Sequence, residues 1–240
     1  MLKYEDLKNR PKELLAATGL KADEFEALLG VFAEDYAVNY PADQTVEGKP
    51  RQRRRGGGGK ATLSTMEDRL LFILVYEKTY PLQTMLGLQF GLSQGRANIW
   101  IHRLLPVVRQ ALERLRLAPE RDGAAVAASA LASEGGADLV IDGTERRRQR
   151  PQDEVQQQAQ YSGKKKAHTD KNLVLVNRHS QKVVYLSPTQ PGKKHDKQLA
   201  DEAAIAYPSG ATLGKDTGFQ GYAPPGILAW QPKKSPKVRP

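Results

Sequence analysis

The stretch GKPRQRRRGGGGKATLS, residues 48–64, constrains this chain more than any other. Between positions 49 and 60 it holds six Lys or Arg, no acidic residue and four consecutive glycines. A run with no apolar side chains to bury, and with glycines that lose the most backbone freedom on ordering, cannot join a core and reads as a solvated linker. The cores must therefore lie on either side of it. The expected organisation is a helical lead-in (1–48), this basic Gly-rich linker (49–63), a helical block (64–118), an Ala/Gly/Ser-rich connector (119–136) and an α/β region (137–240).

The lead-in places Phe25, Leu28, Leu29 and Phe32 at helical spacing, with Thr18-Gly19 as a break before them. In the block after the linker, Ser64 and Glu67 match a capping box ahead of the apolar run Leu70–Val75. Pro81 then opens a second helix, 82–90. Gly91-Leu92 supplies a short turn, and Ser93 caps a third helix expected to reach about residue 105. Two helices joined by a Gly-containing turn form the helix-turn-helix pattern. On the third helix Ala97, Trp100, Ile101 and Leu104 share one face. Arg96, Asn98, His102 and Arg103 point away from it, and such residue types read base edges or grip phosphate. Many helical hairpins carry a polar outer face without touching DNA, so this pattern gains weight from the adjacent arginines Arg53, Arg54 and Arg55, which can track phosphates.

Beyond residue 136 the periodicity changes. ADLVIDGT, KNLVLVNR, QKVVYLSP and ATLGKD are short β-branched runs, the middle two joined by NRHSQ as a hairpin, and HDKQLADEAAIAY is the next helix. Two apolar runs each deliver an aspartate into a glycine-containing turn: Leu139-Val140-Ile141 into Asp142, and Leu213-Gly214 into Asp216. Strand-end aspartates on neighbouring strands hold Mg²⁺ or Mn²⁺, hard ions that take oxygen ligands and tolerate bound water and phosphate. Arg146, Arg147, Arg148 and Arg150 follow the first aspartate, and Lys164, Lys165 and Lys166 stand between the two, as residues suited to hold a DNA backbone near such ions.

Charge agrees with that partner. Residues 1–48 carry five basic and ten acidic side chains, so of the net +10 the remainder holds +15. A field of that sign attracts polyanions, through phosphate contacts and counterion release. It does not by itself separate DNA from RNA, although the aromatic stacking pattern of an RNA-binding sheet is missing. There is no cysteine, which excludes disulfides and thiolate metal sites and fits a reducing cytoplasm. The four scattered histidines make no zinc site. No apolar run reaches the length of a membrane span, and no membrane partner is expected.

Taken in order, EDRLLFILVYEKTYPLQTMLGLQFGLSQGRANIWIHRLLP, IDGTERRRQRP, YSGKKKAHTDKNLVLV, GKKHDKQLAD and GKDTGFQGY resemble the bacterial insertion-sequence transposases of the DDE superfamily. The resemblance implies a helical DNA-binding region with a helix-turn-helix, followed by a ribonuclease-H-like α/β catalytic domain. By matching position, Asp142 and Asp216 correspond to the first two catalytic, metal-binding acids. The resemblance also implies double-stranded DNA partners (terminal inverted repeats and target), metal-dependent strand cleavage and transfer, and a homo-oligomer when active. Glu145, His195 and Asp196 are expected close to the metal pair without binding it, and His168 and Lys171 as contacts to DNA near the cleavage point.

One departure matters. The family's third acid is a Glu downstream of the second Asp, and residues 217–240 contain neither Asp nor Glu. The expectation is a catalytic domain incomplete at its C-terminal end, lacking its last strand and closing helices. Such a chain is completed by a second reading-frame product, or acts as a DNA-binding repressor, or is an inactive remnant.

Overall fold

A computed structural model describes residues 1–45, 48–52 and 62–232. The expected phosphate-tracking residues Arg53, Arg54 and Arg55 lie outside the described residues. The chain divides into two compact units, Met1–Leu117 and Ala118–Pro240.

The first unit is helical: α1 (Tyr4–Leu7), α2 (Pro11–Thr18), α3 (Ala22–Asn39), α4 (Met66–Thr79), α5 (Gln83–Phe90) and α6 (Gln94–Arg114). Its core is organised around α4, in which Leu70 through Val75 are all buried. Six consecutive buried positions leave no polar face, so this helix must be surrounded, and α1, α2, α3 and α6 all pack against it. Phe25, Leu28, Phe32 and Tyr36 of α3 join the same core, so the lead-in and the block after the linker share one interior. The Ser64 capping box is displaced by one residue. Thr65 is the N-cap, its hydroxyl accepting from Asp68 N at 3.1 Å, while the Asp68 carboxylate accepts from Tyr4 N at 2.9 Å. The third helix also outruns its expected end. α6 continues through Pro106 to Arg114 because Val107, Val108 and Ala111 prolong its buried stripe.

The second unit is a mixed sheet with helices: α7 (Ala130–Ser133), β1 (Asp138–Arg147), α8 (Glu154–Gln160), β2 (Tyr161–Ser162), β3 (Ala167–Asn177), β4 (Val183–Leu186), β5 (Gln190–Pro191), α9 (Asp196–Ala203), β6 (Thr212–Lys215) and β7 (Leu228–Trp230). β4 pairs antiparallel with β3 and β3 with β1, whereas β6 runs parallel to β1 and β7 parallel to β6. Three antiparallel strands followed by two parallel ones, with β1 central, is the ribonuclease-H-like order. Its fifth strand, expected to be missing, is present as β7. Leu139, Ile141, Leu173, Leu175 and Leu213 face a core that Ala200 of α9 and Phe219 also enter. The connector residues Val126, Leu131 and Ala132 are buried there as well. The Asn177 amide donates to the carbonyls of Leu131 (3.1 Å) and Glu134 (2.9 Å), fixing this segment against the end of β3. Among the described residues, no helix is long and apolar enough to cross a membrane.

Candidate active site

β1 does not stop at Asp142, contrary to expectation. It stays paired with β3 from Leu139↔Asn177 to Arg147↔Thr169, while its parallel partner β6 leaves after Ile141↔Lys215. Asp142 therefore marks the level at which one edge of β1 loses its neighbour. Asp216 follows Lys215 out of β6, so each aspartate stands one residue beyond the last pair, Ile141↔Lys215, of these two neighbouring strands. Both are exposed. Asp142 Oδ1 accepts from Gly143 N at 2.7 Å and Asp216 Oδ1 from Gly218 N at 2.8 Å. Among the described residues neither carboxylate has an ion-pair partner.

The acids beside them are differently placed. Lys171, expected to touch DNA, is buried, its side chain only 7% exposed. Its ammonium donates to Asp196 Oδ1 (3.0 Å), to the Lys194 carbonyl (2.8 Å) and to Glu145 Oε1 (3.0 Å). Alternation along β3 explains the misreading: Thr169, Lys171, Leu173 and Leu175 share the inward face, so this lysine points at the core and not at solvent. Burial acts to raise the Glu145 carboxyl, but its bonds to Lys171, Ser162 and Thr169 outweigh that and hold it below the ordinary carboxylate value. For Lys171, burial acts to lower the ammonium, and the two carboxylates reverse the direction and raise it.

This triad reaches both aspartate loops. An ideal Cβ on Gly143 would stand 2.5 Å from Asp196 Oδ1, and one on Gly218 would stand 2.9 Å from Asp196 Oδ2 and 3.0 Å from Asp216 Oδ1. The glycine after each expected metal ligand is thus in contact with one carboxylate, which Lys171 holds still. His195, exposed, is the residue immediately before α9, and Asp196 is that helix's first residue. The sequence signal for this arrangement was present in the Asp-Gly and Asp-Thr-Gly turns, but only the packing of α9 shows what the glycines make room for.

The donor set fits a hard divalent cation: two exposed carboxylates, each one residue past the last β1–β6 pair and without an ion-pair partner among the described residues, beside acids already matched by a lysine. Such an ion keeps several waters and needs only one or two protein carboxylates plus substrate phosphate. Among the described residues, no group of three or more His, Cys, Asp or Glu side chains is arranged to hold a metal ion.

Around this point the cations are distributed unevenly. Lys164, Lys165 and Lys166 are all exposed in the turn between β2 and β3, where Lys166 takes a left-handed conformation (φ 49°). Arg146 and Arg147 are exposed on the unpaired edge of β1, whereas Arg148 is tied to Asp170 at 2.8 Å.

In the helical unit, α5 and α6 form the helix-turn-helix. Gly91 ends α5 in the left-handed region (φ 66°), and Ser93 Oγ caps α6 by accepting from Arg96 N at 3.3 Å. Gly87 permits the tight crossing, since a Cβ there would meet the Leu92 carbonyl oxygen at 2.6 Å. Ala97, Ile101 and Leu104 are buried as the wheel predicts, and Arg96 and His102 are exposed with Asn98 half-exposed. Arg103 differs. Its guanidinium lies over the Trp100 ring (4.9 Å) and the Tyr40 ring (5.4 Å), which fixes it to the unit's own surface.

Comparison with known proteins falls on these same segments. The model of the helix-turn-helix of DDE superfamily endonucleases matches residues 61–114, and the model of the DDE superfamily endonuclease matches residues 141–224. A probable transposase for insertion sequence element IS702 from Microchaete diplosiphon is 23% identical over 222 residues, covering 92% of this chain and 75% of the relative. No solved structure matches. With the helix-turn-helix and the paired aspartates in the positions those models cover, the chain belongs to the insertion-sequence transposases of the DDE superfamily.

Proposed function

We propose that this transposase binds the terminal repeats of its element through α6 and cuts and joins DNA strands at Asp142 and Asp216. The observation that carries the reading is the register: two exposed carboxylates, each one residue past the last β1–β6 pair and neither with an ion-pair partner among the described residues. A Mg²⁺ or Mn²⁺ held there supplies a centre that activates an attacking hydroxyl and neutralises charge on the leaving oxygen. The chain's own residues do the rest. Arg96, Asn98 and His102 contact the element end, and Lys164–Lys166 with Arg146 and Arg147 hold the strand's phosphates. Lys171, through Asp196, keeps the two aspartate loops in place.

Among the described residues no group of three or more acidic or histidine side chains is arranged to hold a metal ion, which favours one rival from another class, a DNA-binding repressor that occupies element ends without cutting them.

Nicking assays on the element's own end DNA in Mn²⁺ separate these readings. Cleavage that disappears with Asp142→Ala while end binding persists supports the enzyme. End binding with no cleavage supports the repressor.

A further inference from the structure

Two cavities open on the catalytic unit beside the Asp216–Gly218 turn, and they adjoin. The inner one, about 550 Å³, reaches from Gly218 and Asp196 to Lys164. The outer one, about 530 Å³, is walled by Arg150, Gln157 and His168. Tyr161 and Lys193 line both. Each has the size of a pocket that seats a small molecule, in a range of roughly 300–1,000 Å³, and neither admits a double helix.

The electrostatics along this path have one sign. No acidic residue lines the outer cavity, and the two that line the inner one, Glu145 and Asp196, are already matched by Lys171. Arg150, Lys164 and Lys193, all exposed, are left to face a ligand. At the junction Tyr161 is 45% exposed. Its ring meets His168 edge-on, with centroids 5.7 Å apart and planes at 71°, a contact that occupies at most one ring face. A cationic path interrupted by an aromatic ring with a free face is the arrangement that binds single-stranded nucleic acid, because the cations follow the backbone while bases of any identity stack.

We propose that these two cavities form a track for unpaired nucleotides of a DNA end, with Tyr161 as the stacking platform and Arg150, Lys164 and Lys193 on the phosphates. The track delivers one strand to the Asp142–Asp216 pair, and the proposal rests on reading that pair as the cleavage site. It adds a requirement that a duplex-binding helix-turn-helix does not have: the end must be opened before it is cut.

The test uses the full chain and labelled element-end DNA, either blunt or carrying a short unpaired extension of each polarity, measured by fluorescence anisotropy. A 2-aminopurine placed in the extension reports stacking directly. The wild-type chain is expected to favour an extended end and to quench the 2-aminopurine. Tyr161→Ala is expected to lose about 5- to 150-fold in affinity for that end, the range for removing one aromatic stacking partner, and to lose the quenching. Tyr161→Phe keeps both, and blunt-end affinity is unchanged in either variant. Equal preference in Tyr161→Ala and wild type, or a loss in Tyr161→Phe as large as in Tyr161→Ala, overturns the track. Blunt-end binding without preference for an extension also overturns it while leaving the active-site reading standing, whereas failure of the wild type to bind any end DNA removes the reading beneath both.

Discussion

Replacing Lys171 with methionine keeps most of the side-chain volume and removes the one cation that Glu145 and Asp196 share. The Glu145 and Asp196 side chains are 7% and 16% exposed, so neither recovers full hydration when its partner goes. Breaking a buried ion pair from one side costs about 3–5 kcal/mol, and the partial exposure of Asp196 places this case near the lower end, about 3 kcal/mol at neutral pH. The loss depends on pH in a definite direction. The folded-state value of Glu145 lies below its unfolded one, so its contribution is full above the ordinary carboxylate range and fades as pH falls through the folded value. Lys171 is shifted the other way, contributing fully below its unfolded value and fading only in strong alkali. The gap between wild type and Lys171→Met is therefore widest near neutrality and closes below about pH 4, where carboxylates in the variant protonate. Each unit holds one tryptophan, Trp100 in the first and Trp230 in the second. Urea unfolding followed by Trp230 emission in a Trp100→Phe background thus reports on the second unit alone. Adding Glu145→Gln and Asp196→Asn to Lys171→Met should restore much of the stability, because no buried charge is then left unmatched. A loss below 1 kcal/mol at pH 7, or a gap that stays constant from pH 7 to pH 4, would refute the reasoning.

Three further outcomes follow from the structure. Gly143→Ala puts a methyl group 2.5 Å from Asp196 Oδ1, so Asp196 or β1 must move; overpacking of this kind costs about 1–3 kcal/mol, measurable by the same urea titration. Arg96→Ala is expected to weaken end binding with little effect on stability, and to reduce the slope of log affinity against log salt by about 1 if its contact is to phosphate. Arg103→Ala is expected to do the reverse, destabilising the helical unit by about 0.5–2 kcal/mol through loss of its stacking on Trp100 and Tyr40. A Tm shift in Arg96→Ala as large as that in Arg103→Ala would contradict this division.

Periodicity was the most legible part of the chain. Phe25, Leu28 and Phe32 at helical spacing, and the β-branched runs after residue 136, place the elements well because each pattern commits a face to burial. Asp142 and Asp216 were legible as candidates because an apolar run that delivers a carboxylate into a glycine turn is easily seen. What the pattern could not show was pairing. Where β1 ends depends on β3, which accompanies it to Arg147, and the fifth strand is only three residues long, too short for any periodicity. The Ala/Gly/Ser-rich composition of the 119–136 connector gives no sign that Val126, Leu131 and Ala132 fix it to the core. Lys171 and Arg103 show the same limit at single residues. A basic side chain in a basic protein reads as a DNA contact until the structure shows a carboxylate pair or two aromatic rings already holding it.

The central claim, that Asp142 and Asp216 act together as a cation site, is tested most directly by Mn²⁺ binding to the full chain, followed by electron paramagnetic resonance in the presence of end DNA. The account predicts one saturable Mn²⁺ site in the wild type that is lost in both Asp142→Asn and Asp216→Asn, with DNA affinity through the helical unit retained. Saturable Mn²⁺ binding of wild-type strength in the Asp142→Asn/Asp216→Asn double variant would contradict it.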